Sequence, residues 1–477
     1  MEEFTPTQES KILLQALKKE NVRFAHWKGN SHLQKSLEGR SDIEILIDPE
    51  HRTTFEFVMR KVNFIKTRNP TWLSYPDAED WIGFDKKTGN LLHLDTLYAI
   101  VTGVKFAKQL YLPWHKELFE ESIIDQETGW PIPRPEFEAI ILLIRIRARM
   151  SLNKRRKKRP DIPKRRILEV SNLLRASKTD TLLRICERLK LETCDNFIVG
   201  VETIKSEYSS DEVLRLSKCF YGQVKKYYRK PWITTVFRSY YYKFYLRVTS
   251  RFSRFFAPMS LKKKVVSGGK VIAVIGSDGS GKSTLSRDVV NWLTLKIDTH
   301  YFYLGKMPFI KSYGKILLSP GYLLYQDNKL ARIFRRVSGD RYHIFLAKQK
   351  IKMLQLARKM SRNGSVILCD RYPQKDILGM NDGPKLQYNK TSKNALKELR
   401  LFEKIAGLEP DVVFRLQVTP EVAVQRKPNH DIEAIRRKCQ NINKITFSSA
   451  KVIDIDASKP YSEVLLQIKN EIWKSLS

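Results

Sequence analysis

Residues 271–290 read VIAVIGSDGSGKSTLSRDVV. The apolar run KVIAVI predicts a buried strand, and STLSRDVVNWL has the period of an amphipathic helix. Between them, Gly276, Gly281, Lys282 and Ser283 satisfy G-x-x-x-x-G-K-[ST]. Successive backbone N–H groups in such a loop converge on one polyphosphate, glycines let the backbone come close, and the helix N-terminus adds partial positive charge. The stretch Gly276, Ser277, Asp278, Gly279, Ser280, Gly281, Lys282, Ser283 and Thr284 is therefore predicted to cradle ATP. Lys282 should reach the β- and γ-phosphates, and the Ser283 hydroxyl should hold Mg²⁺.

Outward from the loop, short β-branched runs alternate with helical periods, the pattern of a parallel sheet flanked by helices in an α/β domain. GSVILCDRYP is a second apolar strand ending in Asp370, Arg371 and Tyr372. An acid at the C-terminal end of such a strand lies in the crevice where ligands bind, so Asp370 is expected to act on the metal shell or on the acceptor. PDVVFRLQVTPEVAVQRK adds a strand and a helix carrying Arg426, HDIEAIRRK supplies Arg436 and Arg437, and KVIDIDASKPYSEV ends in a turn containing Asp456 and Ser458.

Together, GSDGSGKST, the DRY triplet, PDVV..L.V.PEVA..R, DIE and IDAS.P..EV resemble thymidylate kinase and its nucleoside-monophosphate-kinase relatives over residues 268–475. The resemblance implies that Asp370 and Arg371 belong to the catalytic and acceptor-phosphate site. It implies that Arg426 and Arg436 or Arg437 belong to a lid neutralising the transferring phosphoryl group, and that the turn at Asp456–Pro460 lies against adenine. The acceptor half departs from the family. The Arg-Glu-Pro-Gly-Gly stretch is replaced by YFYLGKMPFIK, and the segment after DRY is PQKDILGMNDGPKL. Arg341 is either an acceptor-phosphate ligand or an exposed helix arginine.

Near the N-terminus, FAHWKGNSHLQKSLEGRSDIEILID places Gly29-Asn30 eleven residues before Asp42-Ile43-Glu44. Asp42 and Glu44, two apart on a strand, project from one face, and Asp95 in NLLHLDTLYAI offers a third carboxylate. Like charges facing one way in an apolar setting repel unless a divalent cation lies between them. Three such acids suit the paired metals of nucleotidyl transfer. This pattern resembles the polymerase-beta-type nucleotidyltransferases over residues 20–100, with Asn30 replacing the usual Gly or Ser and Glu44 the commoner Asp. By that resemblance Asp42, Glu44 and Asp95 are catalytic metal ligands.

A formal charge of +36 implies an acidic partner: nucleic acid, anionic lipid or a phosphorylated substrate. From Val213 to Ser277 there is no acidic residue. Here Phe237, Tyr241, Phe244, Val248, Phe252 and Phe255 form one helical stripe, and Lys243, Arg247, Arg251 and Arg254 another. Three alternatives stand: the aromatic stripe packs in a core, the helix rests on an anionic membrane, or the arginines hold nucleic acid. The five cysteines are scattered, the N-terminus is acidic without an apolar core, and no run reaches a membrane span. These features predict a cytoplasmic protein, with peripheral contact at the inner membrane face if the helix binds lipid.

Three parts are expected: a nucleotidyltransferase-like α+β domain over 1–135, a basic helical connector over 136–265 and a thymidylate-kinase-like P-loop domain over 266–477. The expected reaction is Mg²⁺-dependent transfer of the ATP γ-phosphate to a small phosphorylated or hydroxylated acceptor, including a glycan. The fusion with a nucleotidyltransferase suggests successive steps on one intermediate, by analogy in surface-polysaccharide synthesis, and a homodimer is compatible with it. The other readings are a dTMP kinase of nucleotide salvage, a nucleotide-gated binding protein and a nucleic-acid-modifying enzyme.

Overall fold

The computed structural model describes residues 4–150, 162–252, 262–305, 308–312, 315–317, 339–377, 383–387, 392–428 and 431–477. The chain forms two compact units, where three parts were expected. Unit 1 is Met1–Phe64 with Thr71–Val248, and unit 2 is Ile65–Pro70 with Thr249–Ser477.

Unit 1 is built on four strands, β1 (Phe24–His26), β2 (Ile43–Ile47), β3 (Ala78–Phe84) and β4 (Leu91–Leu97). They lie in the order β1-β2-β4-β3. The β2–β4 pair is parallel and puts Glu44 beside Asp95, and the other two pairs are antiparallel. Alternation divides the sheet. Phe24, Ile43, Ile45 and Ile47 pack with Leu13 and Leu17 of α1 (Gln8–Lys19) and with Phe55, Val58 and Met59 of α2 (Arg52–Lys61). Ala25, Trp27, Leu46 and Leu97 pack on the other side with α3 (Pro135–Arg149).

The same core continues through α4 (Lys164–Arg175), α5 (Thr179–Arg188), α6 (Phe197–Glu207) and α7 (Ser210–Val224). The helices of the expected connector as far as α7 thus share a core with the strands. In α3 only Pro135, Arg147 and Arg149 are not buried, so the helix is buried nearly all round and serves the strands and the later helices at once.

The basic aromatic segment forms α8 (Trp232–Phe252). Its inward side carries buried Thr235 and Ser239, with Tyr242 6.2 Å from Phe106 and Tyr245 6.1 Å from Trp72. The opposite side carries Phe237 at 71% exposure and Phe244 at 66%, with Ile233 and Tyr241 also exposed. Phe237, Tyr241 and Phe244 of the predicted stripe therefore face outward and are not packed in a core, while Val248 is half-buried. Lys243 and Arg247 are exposed beside it, while Arg254 and Phe255 lie outside the described residues. No described helix is long and apolar enough to cross a membrane.

Unit 2 is a mixed sheet of seven strands. They are β5 (Val271–Gly276), β6 (Thr299–Tyr303), β7 (Phe309–Ser312), β8 (Lys315–Leu317), β9 (Val366–Asp370), β10 (Val412–Gln417) and β11 (Lys451–Asp456). Their order is β8-β7-β6-β9-β5-β10-β11, with β6, β9, β5, β10 and β11 parallel and the β6-β7-β8 edge antiparallel. The helices are α9 (Lys282–Thr294), α10 (Asp340–Arg362), α11 (Lys393–Ala406), α12 (Pro420–Arg426), α13 (Ile432–Asn441) and α14 (Tyr461–Leu476). Every residue of β5 is buried, as the continuous apolar run predicts for a central parallel strand. The expected linker VVSGGK is part of this unit: Lys264–Val265 pairs antiparallel with Ile65–Arg68, and a Cβ on Gly269 would lie 1.9 Å from the Ser365 carbonyl oxygen.

Candidate functional site

The loop between β5 and α9 needs its glycines for two separate reasons. Gly279 has φ of +85°, and a Cβ there would lie 2.5 Å from the Ala423 carbonyl oxygen. A Cβ on Gly276 would lie 2.5 Å from Ser280 Oγ. Gly281, also left-handed, precedes the first turn of α9, where Ser283 and Thr284 are exposed and Lys282 is buried. The Lys282 ammonium donates to the Ser277 carbonyl inside the loop. Burial pushes it down to about 8 with help from Arg371, while Asp278 and Asp370 pull the other way.

Asp370 ends β9, fully buried. Its Oδ2 accepts from the Tyr301 hydroxyl at 2.6 Å, and its Oδ1 has no hydrogen-bond partner. Burial and this carboxylate together push the Tyr301 phenol above its usual range. Arg371 has a left-handed φ of 68°, rare for a residue with a side chain, and its guanidinium lies 5.9 Å from the centre of the Tyr303 ring. Tyr303 in turn stacks on Phe309 at 5.2 Å. The stretch YFYLGKMPFIK thus gives an aromatic hairpin beside the DRY triplet. Arg341 is exposed in the first turn of α10.

Arg426 donates to the Ala457 carbonyl at 3.0 Å, which ties α12 to the turn containing Asp456 and Ser458. Within that turn Asp456 Oδ1 accepts from the Ser458 amide at 2.9 Å. Arg436 lies away from the phosphate loop. It is exposed and paired with Glu433 at 2.8 Å, one turn back on its own helix. The residue of α13 that reaches the phosphate loop is Lys438, paired with Asp278, and Cys439 Sγ lies 3.2 Å from Ser277 Oγ. Burial alone would raise the Asp278 carboxyl, but the Lys438 hydrogen bond and the charges of Lys282, Lys438 and Arg371 hold it below its usual range.

In unit 1 the three predicted carboxylates do not form one metal cluster. Glu44 and Asp95 meet across the β2–β4 pair, but Asp42 is held by His93 at 2.9 Å, and His93 in turn by Asp80 at 2.7 Å. Lys28, only 6% exposed, pairs with Glu44 and lies 3.9 Å from Asp95. Burial raises the Glu44 carboxyl, whereas the Lys28 charge and the hydrogen bond with Glu44 outweigh burial at Asp95 and keep it low. The two acids are thus pushed in opposite directions, and the Lys28 ammonium, itself lowered by burial, lies against both. Among the described residues no group of three or more His, Cys, Asp or Glu side chains is placed to hold a metal ion.

The Gly29-Asn30 turn is also engaged from within. The Gly29 amide donates to Glu138 at 2.7 Å, the Asn30 amide at 3.2 Å and the Asn30 side chain at 2.7 Å. Burial raises the Glu138 carboxyl, and these three donors pull it back.

No family model matches the chain. It is 30% identical over 228 residues to the uncharacterized ATP-binding protein YghS of Escherichia coli, an alignment covering 44% of this chain and 94% of YghS. The chain belongs to the YghS family. It is also 26% identical over 158 residues to a probable thymidylate kinase of Thermoplasma acidophilum, covering 32% of this chain and 68% of that protein. Among solved structures, the deoxyadenosine kinase from M. mycoides with bound dATP shares 15% identity at a TM-score of 0.26, over 43% of this chain and 98% of that one. That likeness is too slight to inform the site.

In this YghS-family chain, four residues that sequence reasoning missed complete the two sites: Tyr301, Lys438, Lys28 and Glu138. Lys28 stands directly before the Gly29-Asn30 turn, so adjacency was a signal for it. Glu138 comes from a helix 109 residues further on, and nothing local announces it.

Proposed function

We propose that unit 2 transfers the γ-phosphoryl group of ATP to a small acceptor carrying a hydroxyl or a phosphate. The observation that carries this reading is one convergence. A phosphate loop with its buried lysine, a buried carboxylate oxygen without a partner and a guanidinium on a strained backbone all meet at the C-terminal ends of β5 and β9. Loop amides and Lys282 would hold the β- and γ-phosphates. The exposed Ser283 hydroxyl and the orphaned Asp370 Oδ1 fit a Mg²⁺ ion, which when bound supplies neutralising charge to the phosphates. Arg371 is within reach of the transferring or acceptor phosphate, Lys438 of α13 acts as the lid cation, and the adenine lies against the turn at Asp456–Ser458, which Arg426 braces from α12.

The aromatic hairpin of Tyr301, Tyr303 and Phe309 forms the acceptor side. It replaces the segment that thymidylate kinases use for their nucleotide, so the acceptor we favour is not dTMP. For unit 1, paired-metal nucleotidyl transfer through Asp42, Glu44 and Asp95 does not fit, because Lys28 already balances two of these acids and His93 holds the third. The outward face of α8, with Phe237 and Phe244 beside Lys243 and Arg247, suits an anionic membrane surface better than nucleic acid, since aliphatic Ile233 shares that face.

The test is ATP consumption with Mg²⁺ across nucleoside monophosphates, sugars, sugar phosphates and a lipid-linked glycan, with Lys282→Ala as control. Lys282-dependent turnover on a sugar or glycan supports the proposal. Rapid turnover on dTMP makes the protein a salvage kinase, and ATP binding without turnover on any acceptor makes it a nucleotide switch.

A further inference from the structure

The cleft of unit 1 has a composition that neither phosphoryl transfer nor nucleotidyl transfer uses. It holds about 170 Å³ and is lined by Lys28, Asp42, Glu44, Arg145, Arg166 and Glu169, among others. Glu138, Arg145 and Arg149 are spaced seven and four residues apart on α3, so they lie along one stripe of that helix.

Their charges are not equally matched. Lys28 is balanced by Glu44 and Asp95, and Arg166 by Glu169 at 2.5 Å. Arg145 is 5% exposed, lies over the Trp27 ring at 5.4 Å, and its Nε has no hydrogen-bond partner. Arg149 is exposed and makes no hydrogen bond or ion pair with a described residue. Glu44 and Glu169 attract Arg145 from across the cleft but leave that Nε unpaired, and a buried guanidinium is unfavourable unless its donors are completed. Burial, with Arg149 nearby, has pushed Arg145 down to about 9. Arg145 and Arg166 also line a second, mostly apolar recess, where Arg149 joins them beside Leu142, Ile146 and Met150.

We propose that this cleft binds a phosphate-bearing small molecule without a divalent cation, gripped by Arg145, Arg149 and Arg166. The Lys28 ammonium stands in place of a metal on Glu44 and Asp95, and the Glu138 carboxylate stands in place of an anion on the Gly29-Asn30 amides. The bound phosphate therefore lies on the α3 arginines and not in the turn, and an apolar part of the ligand occupies the recess at Leu142, Ile146 and Met150. Arginine forks suit phosphate because two parallel N–H donors meet two oxygens.

Inorganic pyrophosphate is the probe, added to the full chain in excess EDTA and followed by amide hydrogen exchange and equilibrium dialysis. Exchange should slow over residues 142–150 and 162–166 and stay slow in Lys282→Ala. Arg149→Met, exposed and outside the core, should weaken binding about tenfold or more, as loss of a charge-assisted contact predicts. Arg145→Met should do the same, with Arg149→Met covering the case in which the buried change unfolds the unit. Three results overturn the proposal: protection that requires Mg²⁺, protection confined to the loop at 276–284 and lost in Lys282→Ala, or Arg149→Met binding as the parent does.

Discussion

Replacing Lys28 by Met tests whether an ammonium has taken a metal's place. The side chain is 6% exposed, pairs with Glu44, lies 3.9 Å from Asp95 and rests 4.6 Å over the Trp27 ring. Methionine keeps most of the volume and removes the charge. Breaking a buried pair from one side costs about 3–5 kcal/mol, because the partner is left uncompensated. For a unit of this size each kcal/mol moves the midpoint by about 2–4 °C, so the unit 1 transition should fall by roughly 6–20 °C. The loss should shrink as pH falls, since protons can then neutralise the carboxylates that Lys28 no longer balances.

The variant should also gain what the parent lacks. With Lys28 gone, two adjacent carboxylates face an empty position, and Mn²⁺ at about a hundred times its dissociation constant should restore about 2.7 kcal/mol. That is roughly 5–11 °C on the same scale. Differential scanning calorimetry of the full chain, with and without Mn²⁺, reads both effects. If Lys28→Met is as stable as the parent, or if Mn²⁺ raises the parent transition equally, the ammonium is not a standing counterion and the reasoning fails.

Four further outcomes are expected. The kcat/KM for ATP should decline as pH rises through about 8, where Lys282 loses its proton in the free enzyme, and Lys282→Arg should move that limb to higher pH, as a pH–rate profile would show. Gly279→Ala should cost about 1–2 kcal/mol for the left-handed backbone alone and should weaken nucleotide binding further, because its Cβ meets the Ala423 carbonyl oxygen, readable by titration calorimetry. Burial lowers His26 from 6.5 to about 4, so the unfolded chain takes up a proton first; unit 1 should lose up to about 1.4 kcal/mol per pH unit between these values on acidification, and His26→Gln should flatten the denaturation midpoint over that window. Vesicles containing anionic lipid should retain the protein in flotation, and Phe237→Ser with Phe244→Ser should release it with the fold intact by circular dichroism.

Much of unit 2 was legible because its signals are local. A six-residue apolar run, a glycine spacing and a helical period fix β5, the loop and α9 without reference to anything distant. The β6-β7-β8 edge was not legible, since antiparallel pairing there depends on a register that YFYLGKMPFIK does not advertise. Helix phase was not legible in HDIEAIRRK, which announces a basic helix but not which cation faces inward; burial of Ile435 turns Lys438, one turn on, toward the loop. In unit 1 the facing of Glu44 and Asp95 followed from alternation and parallel register. The counterions did not, because the effect of Lys28 depends on its burial and that of Glu138 on a helix far along the chain.

The Lys438–Asp278 pair has a kinetic meaning. In the structure α13 is already fastened to the phosphate loop, with Cys439 against Ser277 beside it. Under the proposed function, nucleotide arriving at that loop exchanges an existing ion pair for a new one, so association would include the opening of a latch as well as diffusion. Once phosphates are in place, the same lysine has a stronger anion to hold. The latch then retards departure as well as entry, and residence time becomes a property of one side-chain pair at the edge of the loop.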